Sequence, residues 1–304
     1  MSRPAFGARL AAAVAARGPL CVGIDPHPGL LDRWGLDDSS TGLERFALTV
    51  VEALADRVAL VKPQSAFFER HGSRGVAVLE RVLGEVRAAG ALSIFDAKRG
   101  DIGSTVEAYA AAYLHPASPL AADAVTASPY LGFGSLRPML DAAYEHGAGV
   151  FVLALTSNPE GATVQRAVGP DGRTVAQRIL DDVAVANAAE GGPLGSVGVV
   201  VGATLRGHGH RLDHLRGPIL APGLGAQGAA AADLPAVFGA ALPAVLPAVS
   251  RELLAAGPDP ARLRAAAARL AAEVAEVAAV RPPGSGPVVR PAALRSPGEQ
   301  PARG

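Results

Sequence analysis

Apolar residues along the chain come in short unbroken runs rather than in alternation with polar ones. Eight runs stand out, at 20–25, 58–62, 91–95, 123–127, 149–155, 197–203, 218–221 and 243–249. A strand with one wet face alternates, whereas a strand covered on both faces reads as a continuous run. A helix-length segment follows each run, so parallel strands joined by helical crossovers are predicted. Eight such units predict an α/β fold of the (β/α)8 TIM-barrel type, although a doubly wound open sheet shares the alternation. Ahead of the first run, residues 4–17 read as an N-terminal helix. Phe6, Leu10 and Val14 recur at every fourth position, and Gly18-Pro19 ends the pattern. Late in the chain, Asp259-Pro260 offers an N-cap and a first-turn proline. Leu263, Ala267, Leu270, Val274 and Val277 then line one helical face, expected to dock on the barrel wall. The expected organisation is a single barrel domain over 1–280, followed by a disordered Pro/Gly-rich tail over 281–304.

Charge narrows the partners. Among 304 residues, Lys+Arg and Asp+Glu both total 28, so no bulk affinity for nucleic acid or an acidic membrane is expected. The one cysteine, Cys21, lies inside the first apolar run and reads as a buried, reduced thiol. A cytoplasmic location is the default for such a chain. The alanine-rich N-terminus lies between arginines and lacks a cleavage pattern, so it is not read as a signal peptide. No run is long and charge-free enough for a membrane span.

The chemistry gathers at the C-terminal tips of the runs, where barrels of this kind carry their active sites. Asp25 ends the first run, Lys62 the second, Ser157 follows the fifth, and Arg251 follows the eighth. The third leads into SIFDAKRGDIGST, residues 93–105. Alternate strand residues share a face, so Asp96 and Lys98 are expected to point the same way, with Asp101 close by where a helix begins. Two carboxylates around an ammonium shift one another's pKa values, although a surface ion-pair run would read the same locally. Gly223, Gly225 and Gly228 fit G-x-G-x-x-G, but they follow the seventh run, where a barrel rather than a dinucleotide fold binds phosphate. Gln227 and Arg251 stand in the loops suited to that task. His208, His210 and His214 lack a further ligand and read as a solvated polar loop. Tyr130 and Phe133 are expected to pack over the fourth loop, and His27 is given no role.

Asp96-x-Lys98-x-x-Asp101, with Ile102 and Thr105 after it and Lys62 upstream, resembles the signature of the orotidine 5′-phosphate decarboxylase family. GIDPHP (23–28), SPYLGFGSLRP (128–138), TSNPEG (156–161) and PGLGAQG (222–228) resemble its bacterial type-2 branch. The resemblance implies a barrel lyase that converts orotidine 5′-phosphate to UMP and CO₂ with no cofactor and no metal. It implies Lys98 as proton donor, Asp96 beside the departing carboxylate, and Lys62 and Asp101 as holders of the network. It further implies Asp25 on the ribose diol, Ser157 on the pyrimidine amide edge, and Gln227 and Arg251 on the phosphate, with Pro222 among the substrate-binding residues. Asp101 and Thr105 are implied to reach the neighbour's site across a homodimer. A sister Mg²⁺-using aldolase or keto-acid decarboxylase shares Asp-x-Lys-x-x-Asp but carries a glutamate where Lys62 stands. A catalytically dead phosphate-sensing barrel would be expected to lose one of the four charged residues.

Overall fold

A computed structural model of the protein describes residues 3–279; the tail expected at 281–304 lies outside the described residues. Eight parallel strands close on themselves in sequence order: β1 (Cys21–Ile24), β2 (Leu60–Pro63), β3 (Leu92–Arg99), β4 (Ala124–Ala127), β5 (Gly149–Leu155), β6 (Val197–Val201), β7 (Ile219–Pro222) and β8 (Val245–Val249). Pairing of β8 with β1 completes the ring and excludes the open sheet.

Helix α1 (Phe6–Arg17) precedes the barrel. α2 (Pro28–Arg33) and α3 (Ser40–Leu54) follow β1, and α4 (Ser65–Glu69) and α5 (Gly72–Ala88) follow β2. α6 (Gly103–Leu114) and α7 (Arg137–His146) follow β3 and β4, and α8 (Ala162–Gln165) and α9 (Val175–Glu190) follow β5. β6 is followed by a loop; α10 (Leu234–Phe238) follows β7, and α11 (Arg251–Leu254) and α12 (Pro260–Ala279) follow β8. The Asp259 carboxylate accepts the N–H groups of Ala261 and Arg262 and so caps α12, whose Leu263, Ala267, Leu270 and Val274 are buried.

The apolar interior has two compartments. The larger lies between the strands and the helices, where Val22, Val61, Phe95, Val125 and Val152 face outward. The smaller fills the barrel with Cys21, Leu60, Ile94, Ala124, Phe151 and Leu246. Burial of Cys21 among these pushes its thiol pKa up to about 12, so it stays protonated.

α1 closes the lower end. Phe6 meets Phe151 edge-to-face with ring centroids 6.0 Å apart. A side chain at position 149 would put its Cβ 2.4 Å from the Phe6 ring, so β5 begins with glycine. Arg9 donates to Asp123 Oδ1 at 2.6 Å and to the Gly147 carbonyl at 2.7 Å. Arg3 pairs with the same carboxylate. Ser93 satisfies Asp123 Oδ2 through its backbone N–H at 2.8 Å and its hydroxyl at 3.1 Å. The lower end is thereby sealed, and the upper end carries the chemistry.

Candidate active site

Strand β3 runs past the apolar run that stops at Phe95 and continues through Asp96 and Lys98 to Arg99, so the charged residues belong to the strand. Its pairing with β4 slips. β3 advances four residues from Phe95 to Arg99 while β4 advances two, from Val125 to Ala127. Lys98 takes up the excess at φ +49°, a left-handed conformation that is costly for any residue with a side chain. Asp96 and Lys98 do reach the same place, as expected, but through a bulge rather than a plain pleat.

Asp96 is the centre of the constellation. Lys62 donates to its Oδ2 at 2.7 Å and Lys98 to its Oδ1 at 2.6 Å. The Thr126 hydroxyl also donates to Oδ1, at 2.8 Å, and accepts the Lys98 backbone N–H at 2.9 Å. Lys62 and Asp96 are buried, whereas the Lys98 side chain is 44% exposed and opens onto the barrel mouth. Burial alone would raise the Asp96 pKa. The charges of Lys62 and Lys98, with their hydrogen bonds, more than offset that and hold the carboxyl below its usual range. Burial likewise depresses Lys62, but the charges of Asp96 and Asp25 and the bond to Asp96 override it and hold the ammonium above the usual lysine range. Both groups therefore stay ionised across the neutral range.

Removing Lys62 takes from Asp96 its buried ammonium and leaves it the half-exposed Lys98 and the Thr126 hydroxyl. Lys62→Met is expected to destabilise the protein by about 1.5–3 kcal/mol, the loss of one hydrogen bond between charged groups, measured by urea unfolding at neutral pH. A depressed carboxyl pKa contributes stability above the unfolded value that is lost as pH falls through the folded value. The raised lysine contributes stability below its unfolded value that is lost as pH rises through its folded value. The gap between wild type and Lys62→Met should thus stay level from about pH 5 to 9 and narrow below about pH 4, as Asp96 protonates.

Beside this network lies a cavity of about 80 Å³ lined by Asp25, Lys62, Pro222, Gln227, Ser250 and Arg251. Asp25 Oδ1 and Ser250 Oγ are buried there without a hydrogen-bond partner among the described residues. Gln227 accepts a hydrogen bond from the Ser157 hydroxyl at 3.2 Å, which joins the loops after β5 and β7. The β7 loop turns on Gly223, Gly225 and Gly228, with φ of +118°, +70° and +93°, so these glycines shape a barrel loop and no dinucleotide fold. Arg251 makes no ion pair among the described residues, leaving a planar cation available to an anion. A larger groove of about 660 Å³ runs outside the barrel between α7 and α9, but none of the charged strand-tip residues lines it.

Among the described residues no hydrogen bond or ion pair joins Asp101 or Thr105 to Lys62, Asp96 or Lys98 of the same chain. Asp101 Oδ1 accepts the N–H of Ile102 at 2.8 Å, and Thr105 is exposed on α6. The expected closeness of Asp101 to Asp96 and Lys98 is thus not realised as a direct bond within one chain among the described residues. Tyr130 is corrected too: it is 78% exposed, while Phe133 packs against the core. The histidine loop is latched rather than solvated. His210 bonds to Thr174 at 2.8 Å, His214 to Asp181 at 2.9 Å, and His208 to the Val237 carbonyl at 3.1 Å. Among the described residues no group of three or more His, Cys, Asp or Glu is placed to hold a metal ion. No helix among them is long and apolar enough to cross a membrane.

Sequence and structure comparisons agree with one another. The Orotidine 5′-phosphate decarboxylase / HUMPS family matches residues 18–267. An orotidine 5′-phosphate decarboxylase of Salinispora arenicola is 70% identical over 268 residues, covering 88% of this chain and 96% of that protein. One from Streptomyces coelicolor is 63% identical over 269 residues, again 88% and 96%. The crystal structure of a Streptomyces avermitilis homologue superposes with a TM-score of 0.90 at 62% identity, covering 92% of this chain and 98% of that one. The Leishmania donovani OMP decarboxylase superposes at 0.71 with 33% identity, covering 90% and 98%. With its closed barrel and a match spanning most of its length, the chain belongs to the orotidine 5′-phosphate decarboxylase / HUMPS family.

Proposed function

We propose that the protein is a carboxy-lyase that converts orotidine 5′-phosphate to UMP and CO₂ in pyrimidine biosynthesis, with Lys98 as the proton donor. The observation that carries this reading is Asp96 held between two ammonium groups at the barrel mouth, next to a cavity lined by Arg251, which makes no ion pair among the described residues. The bond between pyrimidine C6 and its carboxylate breaks, CO₂ leaves, and the electron pair remains on C6. The Lys98 ammonium stabilises that carbanion and then gives it a proton, forming UMP; the neutral amine regains a proton from solvent. Asp96 sits beside the departing carboxylate, and its repulsion of that group favours departure. Asp25 accepts the ribose hydroxyls, Ser157 reads the pyrimidine amide edge, and Gln227 and Arg251 take the phosphate, with Pro222 against the ring.

Magnitudes divide the work. A slow uncatalysed reaction needs on the order of 20 kcal/mol of barrier lowering. An ion pair at 4 Å gives about 4 kcal/mol at an effective dielectric of 20. Lys98 therefore depends on binding energy from the remote phosphate and ribose, used to orient and desolvate the reacting carbon. Arg251→Ala is expected to lower kcat/KM for orotidine 5′-phosphate by at least about 100-fold, the cost of losing a bidentate ionic contact. The residual rate with orotidine, which lacks the phosphate, should stay within about two-fold. Equal losses with both substrates would show that Arg251 does not act through phosphate.

The site is completed by a second copy of the chain, with the partner's Asp101 entering from the loop after its β3 and the partner's Thr105 from the first turn of its α6. Two features support this. Among the described residues neither residue bonds to the charged cluster of its own chain, and Ile102, Tyr130 and Leu131 leave 62%, 78% and 53% of their surface exposed on the adjoining β3 and β4 loops.

The direct test mixes EDTA-treated protein with orotidine 5′-phosphate and follows loss of its ultraviolet absorbance; turnover without added metal is expected. Activity that appears only with Mg²⁺ would favour the aldolase-like reading. Against that reading, Lys62 stands where a metal-binding acid would, and ammonium groups already occupy both oxygens of Asp96.

A further inference from the structure

The bulge in β3 raises a question that the four charged residues do not answer. Lys98 is one of two non-glycine residues with positive φ among those described, and the slip between Phe95 and Arg99 removes it from the regular ladder with β4. A strained backbone persists only where its surroundings hold it. Thr126 lies on β4 opposite the slip, 1% exposed, on the inward face that it shares with Ala124. Its hydroxyl takes the Lys98 N–H that the regular ladder no longer serves, and gives its own proton to Asp96 Oδ1, the oxygen that also receives Lys98 Nζ. One small side chain therefore touches the backbone of Lys98 and the carboxylate that aims its ammonium.

We infer that Thr126 is a positioning residue for the decarboxylation: its hydroxyl locks the β3 bulge and fixes the Lys98 ammonium against Asp96. The inference rests on the proposed function and adds a residue to it. Thr126 does not exchange a proton with substrate and is not needed for its phosphate or ribose. Its loss should therefore show in the chemical step rather than in ligand affinity. A packing role would need only the shape of threonine, which valine keeps; a positioning role needs the hydroxyl, which serine keeps.

The test compares Thr126→Val, Thr126→Ser and Thr126→Cys with wild type, measuring kcat for orotidine 5′-phosphate, UMP affinity and thermal midpoint. Loss of a hydrogen bond to a charged group predicts a kcat for Thr126→Val lower by roughly 10- to 100-fold. UMP affinity should stay within about three-fold, and Thr126→Ser should stay within about three-fold of wild type in both. Thr126→Cys, a weak donor of similar size, should fall between them. A Thr126→Val enzyme with kcat within three-fold of wild type would overturn the inference. So would parallel losses of kcat and UMP affinity, or a serine variant as impaired as the valine one. If the valine variant does not fold, the serine and cysteine variants decide: equal kcat in the two overturns it. An inactive wild type would instead reject the proposed function, so the two failures are distinguishable.

Discussion

Replacing Lys98 by alanine is expected to lower kcat by at least about 10⁴-fold while UMP binding survives. Two contributions disappear together. A fixed positive charge near the carbanion is worth about 4 kcal/mol at an effective dielectric of 20, or close to 10³-fold. A positioned proton donor typically adds roughly 10²- to 10⁴-fold. The fold should tolerate the change, because Asp96 keeps Lys62 and Thr126 as partners. Asp25, Gln227 and Arg251 are also untouched, so UMP affinity measured by calorimetry should stay within about ten-fold of wild type. Single-turnover absorbance loss would measure the chemical step directly. A variant that keeps more than a tenth of wild-type kcat would remove Lys98 from the central role.

A mixture of two nearly inactive variants, Lys98→Ala and Asp101→Ala, should regain about a quarter of wild-type activity per subunit. This follows from the geometry of a two-fold dimer, in which each subunit lends the same residue to the other. In a mixed dimer one site carries both defects. The other combines Lys98 from one chain with Asp101 from its partner and is intact. Random reassociation of equal amounts makes about half the dimers mixed, with one working site in each. Subunits must first be separated and rejoined, and native mass measurement must confirm the exchange. If exchange is complete and activity stays at the parental level, Asp101 serves its own chain and the shared site is wrong. Within one chain its carboxylate already has a partner in the Ile102 N–H, so any catalytic role in cis would require the loop to rearrange.

The barrel was legible because its strands are buried on both faces. All eight apolar runs coincide with strands to within a few residues, and Gly18 and Asp259 bound their helices as their chemistry requires. The apolar run of the third strand stops at Phe95, but strand alternation already placed Asp96 and Lys98 on one face beyond it, and β3 does continue through them to Arg99. The bulge between them was not readable, because it arises from the pairing with β4. Thr126 was missed altogether. A threonine between Val125 and Ala127 looks like any β-former, and the only clue, the excess length of β3 against β4, exists in the pairing and not in the sequence. The histidines were misjudged because their partners, Thr174, Asp181 and the Val237 carbonyl, come from other stretches of the chain. The charged residues at the strand tips were readable because position along a parallel strand fixes which end of the barrel a residue occupies.

Helix α1 has a consequence for how the chain is made. It is made before any strand of the barrel, yet its seat is built from residues that come far later. Arg9 and Asp123 are 114 positions apart, and the Gly7 N–H finds the Ser196 hydroxyl 189 positions on. At roughly 5–20 residues per second, on the order of 10–40 s pass before that last contact can exist. Through that interval Phe6 and Leu10 have no barrel to fill, and the nascent protein carries an uncovered apolar helix. A helix made ahead of the whole barrel is thus among the latest elements to dock, and a stalled ribosome would present it to any passing hydrophobic surface.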